Sequence, residues 1–353
     1  MSAIAIVPEL RIDPLSGHKT IIAGDRSRRP GGEPHVSIAR PRTAPIAPED
    51  DPFAEGNENR TPPELYALRS PNSEPNCPGW SVRVVENLYP ALGAAGKQPH
   101  EESGEVGAHW PDEPTASRAN RSELFNTRPA TGAHEVIVNA PQPVASLAEL
   151  PLEQVVVAIE VWRERMRIHA DSAYVQLIVN EQSEAGASLE HTHAQLYALD
   201  FVPAAVARER ERCGAYATRM MGQNLLGDLV AEEVRQRERV VAIDEEAVLM
   251  APYASRLPFQ LMLAPRRPRP RFEEHGPTGA ALLHDGLCRL ARYLGASPPL
   301  NLWIRTAPRG AEHYCWRIDV LPRLTHHAGL ELSTGLSLNI VAPERAAAEL
   351  RAA

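Results

Sequence analysis

Near its middle, the chain contains the segment Ser188-Leu189-Glu190-His191-Thr192-His193-Ala194-Gln195-Leu196-Tyr197. In an extended strand, residues two apart share a face. We therefore expect His191, His193 and Gln195 to project together, while the residues between them point away. Three polar groups on one face predict the wall of a cleft.

A turn of small residues lies just upstream, after Asn180 ends the buried strand predicted for residues 174–179. Residues 184–188 read Glu-Ala-Gly-Ala-Ser. Glycine and alanine let a backbone approach an anion closely, and a serine hydroxyl adds a donor. The residues predicted to hold a phosphate in this turn are Gly186, Ala187 and Ser188.

His193 is the candidate nucleophile. An imidazole is largely neutral at neutral pH, attacks phosphorus and can leave again, which divides one group transfer into two steps. The amide of Gln195 can donate to a phosphoryl oxygen without competing for the proton. From the residues alone, two histidines separated by one residue also suit a surface pair, a metal site or a hydrogen-bonded structural pair.

The order of predicted elements indicates an α+β fold with mainly antiparallel sheet flanked by helices. Strands and helices alternate in each half of the chain, and residues 314–322 parallel the stretch that begins at His191, which suggests an internal duplication. The predicted helices include residues 151–169 and a long charged stretch at 204–240. Only the first copy holds the His-x-His-x-Gln pattern, so only that copy is expected to be catalytic.

We divide the chain into an N-terminal catalytic half, residues 1–203, and a C-terminal half, residues 204–353. Residues 93–122 are rich in Gly, Glu, Pro and Ser and have few apolar anchors. This composition predicts a flexible surface insertion.

Charge and composition exclude several functions. The 353-residue chain has a formal net charge of −8 and its arginines are spread out, which disfavours nucleic-acid binding. No apolar run has membrane-spanning length and no signal-peptide pattern is present, so we expect a cytoplasmic protein without membrane contact. The four cysteines lack paired spacing and are predicted to be reduced thiols.

The chain resembles the galactose-1-phosphate uridylyltransferase family of the histidine-triad (HIT) superfamily. Members of that family carry an asparagine, a Gly-x-Ser turn and then His-Pro-His-x-Gln. This chain has Asn180, residues 186–188 and residues 191–195 in the same order and spacing. The resemblance implies a HIT-like fold of two tandem halves.

The resemblance also implies a nucleotidyltransferase with a ping-pong mechanism, acting on a nucleotide-sugar and a sugar 1-phosphate. His193 attacks the α-phosphorus of a UDP-sugar, releases a sugar 1-phosphate and passes the held UMP to another sugar 1-phosphate, while Gln195 steadies the covalent intermediate. A homodimer is implied as well. The nucleotide contacts carried over by position are Arg26, Arg29, Asn87, Asn180, Gly186, Ala187 and Ser188.

The zinc site of the family is not matched. The family holds zinc with a Cys-x-x-Cys pair, a distant histidine and the first motif histidine. Here Asp51, Ala54 and Pro143 stand at the first three positions, beside His191. One histidine cannot hold a structural zinc ion, which takes four ligands. Asp51 and Glu55 could supply oxygen ligands to a replacement metal, but acids in such a loop are expected to face solvent.

A second metal, found in some relatives, uses a glutamate matched by Glu209 and a His-x-His pair replaced here by Cys315 and Arg317. We therefore expect an enzyme without a bound transition metal or other cofactor. His191, freed from zinc, is expected to hydrogen-bond within the site or to orient the nucleophile. His134 is expected to be structural.

Two other functions stay open. The first is an ADP-sugar phosphorylase or a nucleotidyl hydrolase of the same superfamily, although Gln195, in place of the third histidine of the hydrolytic branches, favours transfer. The second is a nucleotide-binding pseudoenzyme, against which the intact His193 and Gln195 count. The acceptor sugar phosphate and the choice between uridine and adenine stay open too.

Overall fold

The computed structural model of the protein describes residues 7–24, 47–93, 128–274 and 276–353. Its strands are β1 (Glu9–Ile12), β2 (Lys19–Ile22), β3 (Glu64–Arg69), β4 (Trp80–Glu86), β5 (Gly132–Val138), β6 (Tyr174–Glu181), β7 (His193–Leu199), β8 (Val240–Ile243), β9 (Ala247–Met250), β10 (Leu261–Pro265), β11 (Leu300–Arg305), β12 (Arg317–Pro322) and β13 (Ser337–Asn339). Its helices are α1 (Leu152–Ile168), α2 (Ala204–Arg219), α3 (Leu225–Gln236), α4 (Ala280–Leu294), α5 (Gly329–Thr334) and α6 (Pro343–Ala352).

Ten strands form one sheet in the order β3-β4-β5-β7-β6-β11-β12-β10-β9-β8, and each strand runs antiparallel to its neighbours. The two halves of the chain meet where β6 pairs with β11. This mainly antiparallel sheet with flanking helices confirms the predicted α+β class. The division at residue 203 falls between β7 and α2 and stays a prediction.

A second, three-stranded sheet has the order β1-β2-β13. β1 and β2 are antiparallel, whereas β2 and β13 are parallel. The early strands are thereby paired with the C-terminal half rather than with the rest of the N-terminal half.

The two faces of the ten-stranded sheet have different coverings. On one face, α1, α4 and α6 pack on a continuous apolar core that includes Ala194 and Leu196 of β7. Because side chains alternate along a strand, His193 and Gln195 project from the opposite face. On that face, α2 and α3 cover β9 and β10. The candidate site therefore lies on the face that the three core helices leave open.

α1 was predicted correctly, and its sequence explains why it forms. The helix begins directly after Pro151, whose fixed φ suits a helix start. Val155, Ile159 and Trp162 are buried at a spacing of four and three residues, which places them on one face of the helix. This face anchors α1 on the core side of the sheet.

The long helix predicted at residues 204–240 is wrong in one respect, because the structure has two helices there. Met221 and Gly222 adopt left-handed backbone angles (φ 54° and 94°), which end α2. The side chain of Asn224 then caps α3 by accepting the backbone N–H of Gly227 at 2.9 Å. The chain thus folds α3 back toward β9.

Three other expectations concern the whole chain. The predicted flexible insertion at 93–122 lies, apart from Gly93, outside the described residues. Within the described ranges, no helix combines the length and apolarity needed to cross a bilayer. Cys77, Cys213, Cys288 and Cys315 are free in the structure, and their reduced state stays a prediction.

Candidate active site

His193 is the first residue of β7 and has 4% of its surface exposed. Its Nδ1 lies 2.7 Å from the backbone carbonyl of His191. A carbonyl oxygen only accepts, so the proton of the neutral ring lies on Nδ1 and the lone pair lies on Nε2. Burial lowers the pKa of His193, against the raising effect of this hydrogen bond. The ring is therefore neutral near pH 7, with Nε2 as its nucleophilic atom.

Phe53 holds the His193 ring from the side. The two ring centroids are 5.2 Å apart and the planes meet at 62°, an edge-to-face contact. Phe53 belongs to a small apolar cluster with Trp80 and Val138. Its backbone N–H donates to Oδ1 of Asp51 at 2.9 Å. The loop that carries Asp51 therefore positions an apolar wall beside the nucleophile.

His191 lies just before β7, and its side chain is buried. Its Nδ1 is 2.6 Å from Oδ2 of Asp51, and its Nε2 is 2.8 Å from the carbonyl of Ala140. Since that carbonyl can only accept, Nε2 carries one proton, and Nδ1 shares a second with the Asp51 carboxylate. Phe53 lies beside both histidine rings, with centroids 6.2 Å from His191 and 5.2 Å from His193. The shared face of His191, His193 and Gln195 stays a prediction.

The expectation that Asp51 faces solvent is also wrong. Only 4% of its surface is exposed. Both of its carboxylate oxygens accept hydrogen bonds, one from Phe53 and one from His191. A buried carboxylate is tolerated when it is paired in this way.

The residues around His191 do not fit a zinc ion. Ala54 and Pro143 have no ligating side-chain atom, and both ring nitrogens of His191 already face oxygen atoms. A structural zinc ion needs four ligands. Across the described ranges, no three His, Cys, Asp or Glu side chains gather in a way that suits a metal ion.

Thr192 stands at the proline position of the family motif and, unlike proline, has a backbone N–H that can donate. Its backbone N–H donates to the carbonyl of Val144 at 2.8 Å, a bond that proline cannot make. Its hydroxyl accepts a hydrogen bond from Asn139 Nδ2 at 3.1 Å, and Asn139 in turn accepts from Trp162 Nε1 at 2.9 Å. This network ties the backbone between His191 and His193 to α1.

Gln195 is oriented by two donors. The hydroxyl of Tyr197 donates to Gln195 Oε1 at 2.9 Å. His134 Nδ1 accepts the N–H of Ala91 at 3.1 Å, so its Nε2 carries the proton and donates to the same Oε1 at 3.1 Å. Burial lowers the pKa of His134, which keeps the ring neutral. The NH2 group of Gln195 is left to donate, and in the described part of the chain no acceptor contacts it.

His134 therefore does more than support the strand. Its ring stacks on the ring of Tyr197, with centroids 4.1 Å apart. Its Nε2 also lies 3.1 Å from Nδ2 of Asn87, whose backbone N–H donates to the His134 carbonyl at 2.9 Å. The structure thus brings Asn87, predicted to bind nucleotide, next to Gln195 through His134.

Asn180 near the end of β6 is held by the C-terminal half. Asn301 on β11 donates from Nδ2 to Oδ1 of Asn180 at 2.8 Å and to the carbonyl of Ala185 at 2.7 Å. Because Asn301 donates to its oxygen, Asn180 can itself act as a donor through its NH2 group. The register pairs Val179 with Ala194, which places Asn180 across from His193.

In the turn predicted to bind phosphate, two backbone N–H groups donate within the turn itself. Gly186 adopts a left-handed φ of 88°, and a Cβ there would meet no atom within 4 Å, so the backbone angle requires glycine. The N–H groups of Gly186 and Ala187 donate to Ser183 and Gln182 inside the turn, at 2.9 and 3.1 Å. The exposed Ser188 is therefore the donor that this turn presents.

The remaining predicted positions lie elsewhere. Arg26 and Arg29 are outside the described residues. At the second metal position, the Glu209 carboxylate contacts both Nη atoms of Arg317, one of them at 3.1 Å. Cys315 is buried, and its Sγ is 3.6 Å from the Trp316 carbonyl. An ion pair thus occupies the place of the second metal site.

Comparison with known proteins defines the family. The profile of the galactose-1-phosphate uridyl transferase N-terminal domain matches residues 3–203, more than half of the chain. The chain belongs to the galactose-1-phosphate uridyl transferase family. A profile for a domain of unknown function, DUF4921, matches residues 152–352. Membership confirms the resemblance inferred from the histidine motif and makes the protein an enzyme of the nucleotidyltransferase type.

Individual relatives come from two branches of this family. ADP-glucose phosphorylase of Arabidopsis thaliana is 27% identical, with 98% of this chain and 92% of the relative covered. A probable galactose-1-phosphate uridylyltransferase of Drosophila melanogaster is 26% identical over 87% of this chain and 80% of the relative. The crystal structure of the Arabidopsis phosphorylase with bound ADP-glucose superposes with a TM-score of 0.75, 26% identity and 99% coverage of both chains. The HIT-like fold is thereby confirmed.

Four residues of the site were not singled out from the sequence as catalytic or positioning groups. They are Asp51, His134, Tyr197 and Asn301. Tyr197 carried a signal, because it follows Gln195 by two residues and therefore shares its face. The other three reach the site from distant segments, and only the folded sheet brings them there.

Proposed function

We propose that the protein transfers a nucleotidyl group from a nucleotide-sugar to a second phosphate compound through a covalent intermediate on His193. The observation that carries this proposal is the fixed tautomer of His193, whose Nδ1–H is held by the His191 carbonyl. A neutral imidazole with a free Nε2 is the form that attacks phosphorus. The first assignment is a UDP-sugar:sugar-1-phosphate uridylyltransferase.

In the first step, Nε2 of His193 attacks the α-phosphorus of the donor. The bond from this phosphorus to the bridging oxygen breaks, and its electron pair leaves with the sugar 1-phosphate. The ring becomes positively charged as the N–P bond forms, and the His191 carbonyl stabilises this charge through Nδ1–H. The NH2 group of Gln195 donates to a non-bridging oxygen, a type of contact worth about 2.7–4 kcal/mol of barrier.

In the second step, an oxygen of the incoming phosphate group attacks the same phosphorus. The N–P bond breaks, and its electron pair returns to Nε2. The proton on Nδ1 stays in place during both steps, so this hydrogen bond serves the free enzyme and the intermediate alike.

The nucleotide phosphates are proposed to be bound by Asn180 and Ser188, which both offer donors beside β7. Gly186 and Ala187 shape the turn that carries Ser188. Asn87, Arg26 and Arg29 are proposed as further nucleotide contacts.

ADP-sugar phosphorolysis is the second candidate function. If inorganic phosphate is the acceptor, the same two steps release a nucleoside diphosphate. A specific observation favours this candidate: the Arabidopsis ADP-glucose phosphorylase matches 92% of its own length, against 80% for the Drosophila uridylyltransferase. The chemistry at His193 is the same in both candidates, and only the base and the acceptor differ.

We propose further that the site works without a bound transition metal. The support is the pairing of His191 with Asp51 and with the Ala140 carbonyl, which fixes the residue that the family ties to zinc. Because the carbonyl of His191 holds His193, a rigid His191 keeps the nucleophile in register. His191 is thus a positioning residue in this scheme.

The test is covalent labelling. The protein is incubated separately with UDP-glucose and ADP-glucose labelled at the α-phosphate, quenched in base and examined for a label that acid removes. We expect a label of one nucleotide per active chain with one of the two donors. His193→Ala should abolish it, and Gln195→Ala should slow its formation by about 100-fold.

The acceptor is identified in a second incubation of the labelled protein. Release of label as nucleotide-sugar upon addition of galactose 1-phosphate supports the uridylyltransferase assignment, and release as a nucleoside diphosphate upon addition of inorganic phosphate supports phosphorolysis. His313→Ala, a change at an exposed histidine, serves as the matched control and should label normally. A label that persists in His193→Ala would refute the nucleophile, and no label with either donor would favour the pseudoenzyme.

A cytoplasmic homodimer is part of the same proposal. It is supported by the family resemblance, which suggests a homodimer. Light scattering at micromolar concentration should give twice the mass of the chain. A monomer that retains full labelling activity would contradict the homodimer.

A further inference from the structure

A cavity lies on the same face of the large sheet as His193, over the C-terminal strands. It has a volume of about 220 Å³, and its lining includes Arg256, Gln260, Trp303 and Arg305. The turn between β1 and β2 also lines the cavity, through Ser16 and His18. The proposed transfer reaction does not use any of these residues.

The cavity contains donors that the protein does not satisfy. The guanidinium of Arg256 makes neither an ion pair nor a hydrogen bond with any described residue, and it lies 5.6 Å from the centre of the Trp303 ring. Trp303 Nε1 and Arg305 Nε are buried and also lack a hydrogen-bond partner among the described residues. Buried donors in native proteins are satisfied by protein, water or ligand.

The carboxylates around the cavity are engaged with other groups. Glu209 and Asp319 both pair with Arg317, the latter at 3.0 Å. Asp13 accepts hydrogen bonds from the backbone N–H groups of Leu15 and Ser16 in its own turn.

Two further contacts involve charged residues that line the cavity. Glu233 pairs with Arg239 at 2.9 Å, and Arg239 does not line the cavity. Arg305 Nε is 3.7 Å from Glu209, too far for a hydrogen bond. Arg256 therefore has no carboxylate in direct contact. Burial lowers its pKa, against the raising effect of the more distant charges of Asp319 and Asp13.

The position of the cavity matches that of the active site in the other half. β12 begins at Arg317 as β7 begins at His193, so Asp319 occupies the position of Gln195. The register also places Gln195, Ile178, Trp303 and Asp319 in one row across four neighbouring strands. Trp303 is thus two strands from Gln195, about 10 Å away at the usual strand spacing.

We propose that this cavity binds a small tetrahedral oxyanion of the phosphate class, held by Arg256, Trp303 Nε1 and Arg305. An oxyanion has only acceptors, so it satisfies all three donors and compensates the charge of Arg256. The planar guanidinium of Arg256 can engage two of its oxygens at once.

The test locates the anion and measures its binding in solution. Crystals are soaked in selenate, and the anomalous signal of selenium is mapped. Titration calorimetry with sulfate, inorganic phosphate and glycerol 1-phosphate then compares the free anion with a monoester. The variants are Arg256→Met, Trp303→Phe and, as matched control, Arg210→Met, which changes an exposed arginine of α2.

We expect a selenium peak within hydrogen-bond distance of Arg256 and Trp303 Nε1. Arg256→Met should remove this peak and weaken the corresponding calorimetric site by about tenfold or more, Trp303→Phe should weaken it by less, and Arg210→Met should leave it unchanged. Covalent labelling at His193 should persist in Arg256→Met, which separates this site from the catalytic one. A peak confined to the 186–188 turn, or a cavity peak without solution binding, means an adventitious ion only and overturns the proposal.

Discussion

Asp51 Oδ2 and His191 Nδ1 lie 2.6 Å apart in the buried interior, although 140 positions separate them in the chain. The contact joins a loop of the N-terminal half to the residue whose carbonyl holds the nucleophile. Asp51 also holds Phe53, which packs against the His193 ring. One carboxylate therefore restrains the nucleophile through two separate routes.

We expect Asp51→Ala to slow covalent labelling of His193 by about 10- to 100-fold, because positioning contacts of this kind typically have that effect. Asp51→Asn should retain more activity, since its amide can still accept from Phe53 and contact His191. Labelling rates at saturating donor measure the difference. Glu55→Gln, at an exposed acid of the same loop whose contact with Gly79 an amide can keep, is the control and should match the wild type.

Removal of metal should leave the enzyme active. After dialysis against a chelator, we expect the labelling rate to change by less than about twofold, because no zinc is required to hold His191. Elemental analysis of the untreated protein should give far less than one zinc per chain. Loss of labelling on chelation, restored by added zinc, would contradict the proposed replacement of the metal by Asp51.

Tyr197→Phe tests the orientation of Gln195. Without the tyrosine donor, the Gln195 amide is fixed by His134 alone and can rotate, so its NH2 group points at the substrate for less of the time. We expect the first-step rate to fall by about tenfold with little change in donor affinity, since one hydrogen bond to the amide is lost. Single-turnover labelling separates the two quantities. Tyr89→Phe, at an exposed tyrosine, should leave both unchanged.

Thr192→Pro restores the family's motif but removes a hydrogen bond. The carbonyl of Val144 loses its donor, and we expect the free energy of unfolding to fall by about 1–3 kcal/mol. Thr192→Val keeps the N–H and loses only the hydroxyl contact with Asn139, so it should be less destabilising. Chemical denaturation of both variants measures this order. A proline variant as stable as the wild type would show that the Val144 contact contributes nothing.

Glu181 is expected to make stability depend on pH. Burial raises its pKa to about 7, although Leu147 N–H and the Ser146 hydroxyl donate to it. The folded state thus keeps a proton that the unfolded chain loses above its value of 4.5. Stability from this group is complete below pH 4.5 and is lost as the pH rises through 7, by about 3 kcal/mol in total.

Glu181→Gln mimics the protonated form and should remove this pH dependence. Unfolding free energies of the wild type and the variant should be closest near pH 4.5 and should diverge, with the variant more stable, by pH 8. Glu153→Gln, at an exposed acid, is the control. Parallel pH profiles for the wild type and Glu181→Gln would show that the carboxyl is ionised throughout.

The sequence predicted the fold class and the central strands because their patterns are local. The apolar run at 174–179 and the spacing of Val155, Ile159 and Trp162 each depend on neighbouring residues only. The break between α2 and α3 was not predicted, although Gly222 and the capping residue Asn224 mark it in the sequence.

The environment of the candidate site was harder to predict than its motif. Residues 191–195 identified the family, yet the burial of Asp51 was missed, because its partner His191 lies in a distant part of the chain. The same holds for Asn301, which reaches Asn180 only through the pairing of β6 with β11. Contacts between distant segments follow from sheet register, which the sequence did not specify.

The hydrogen bond from Asn301 to Asn180 ties the candidate site to the C-terminal half of the chain. A fragment ending at residue 203 would expose the free edge of β6 and would lose the amide that orients Asn180. Residues 1–203 include the nucleophile, yet they are not a self-sufficient module, because part of what arranges the site comes from the other half of the chain.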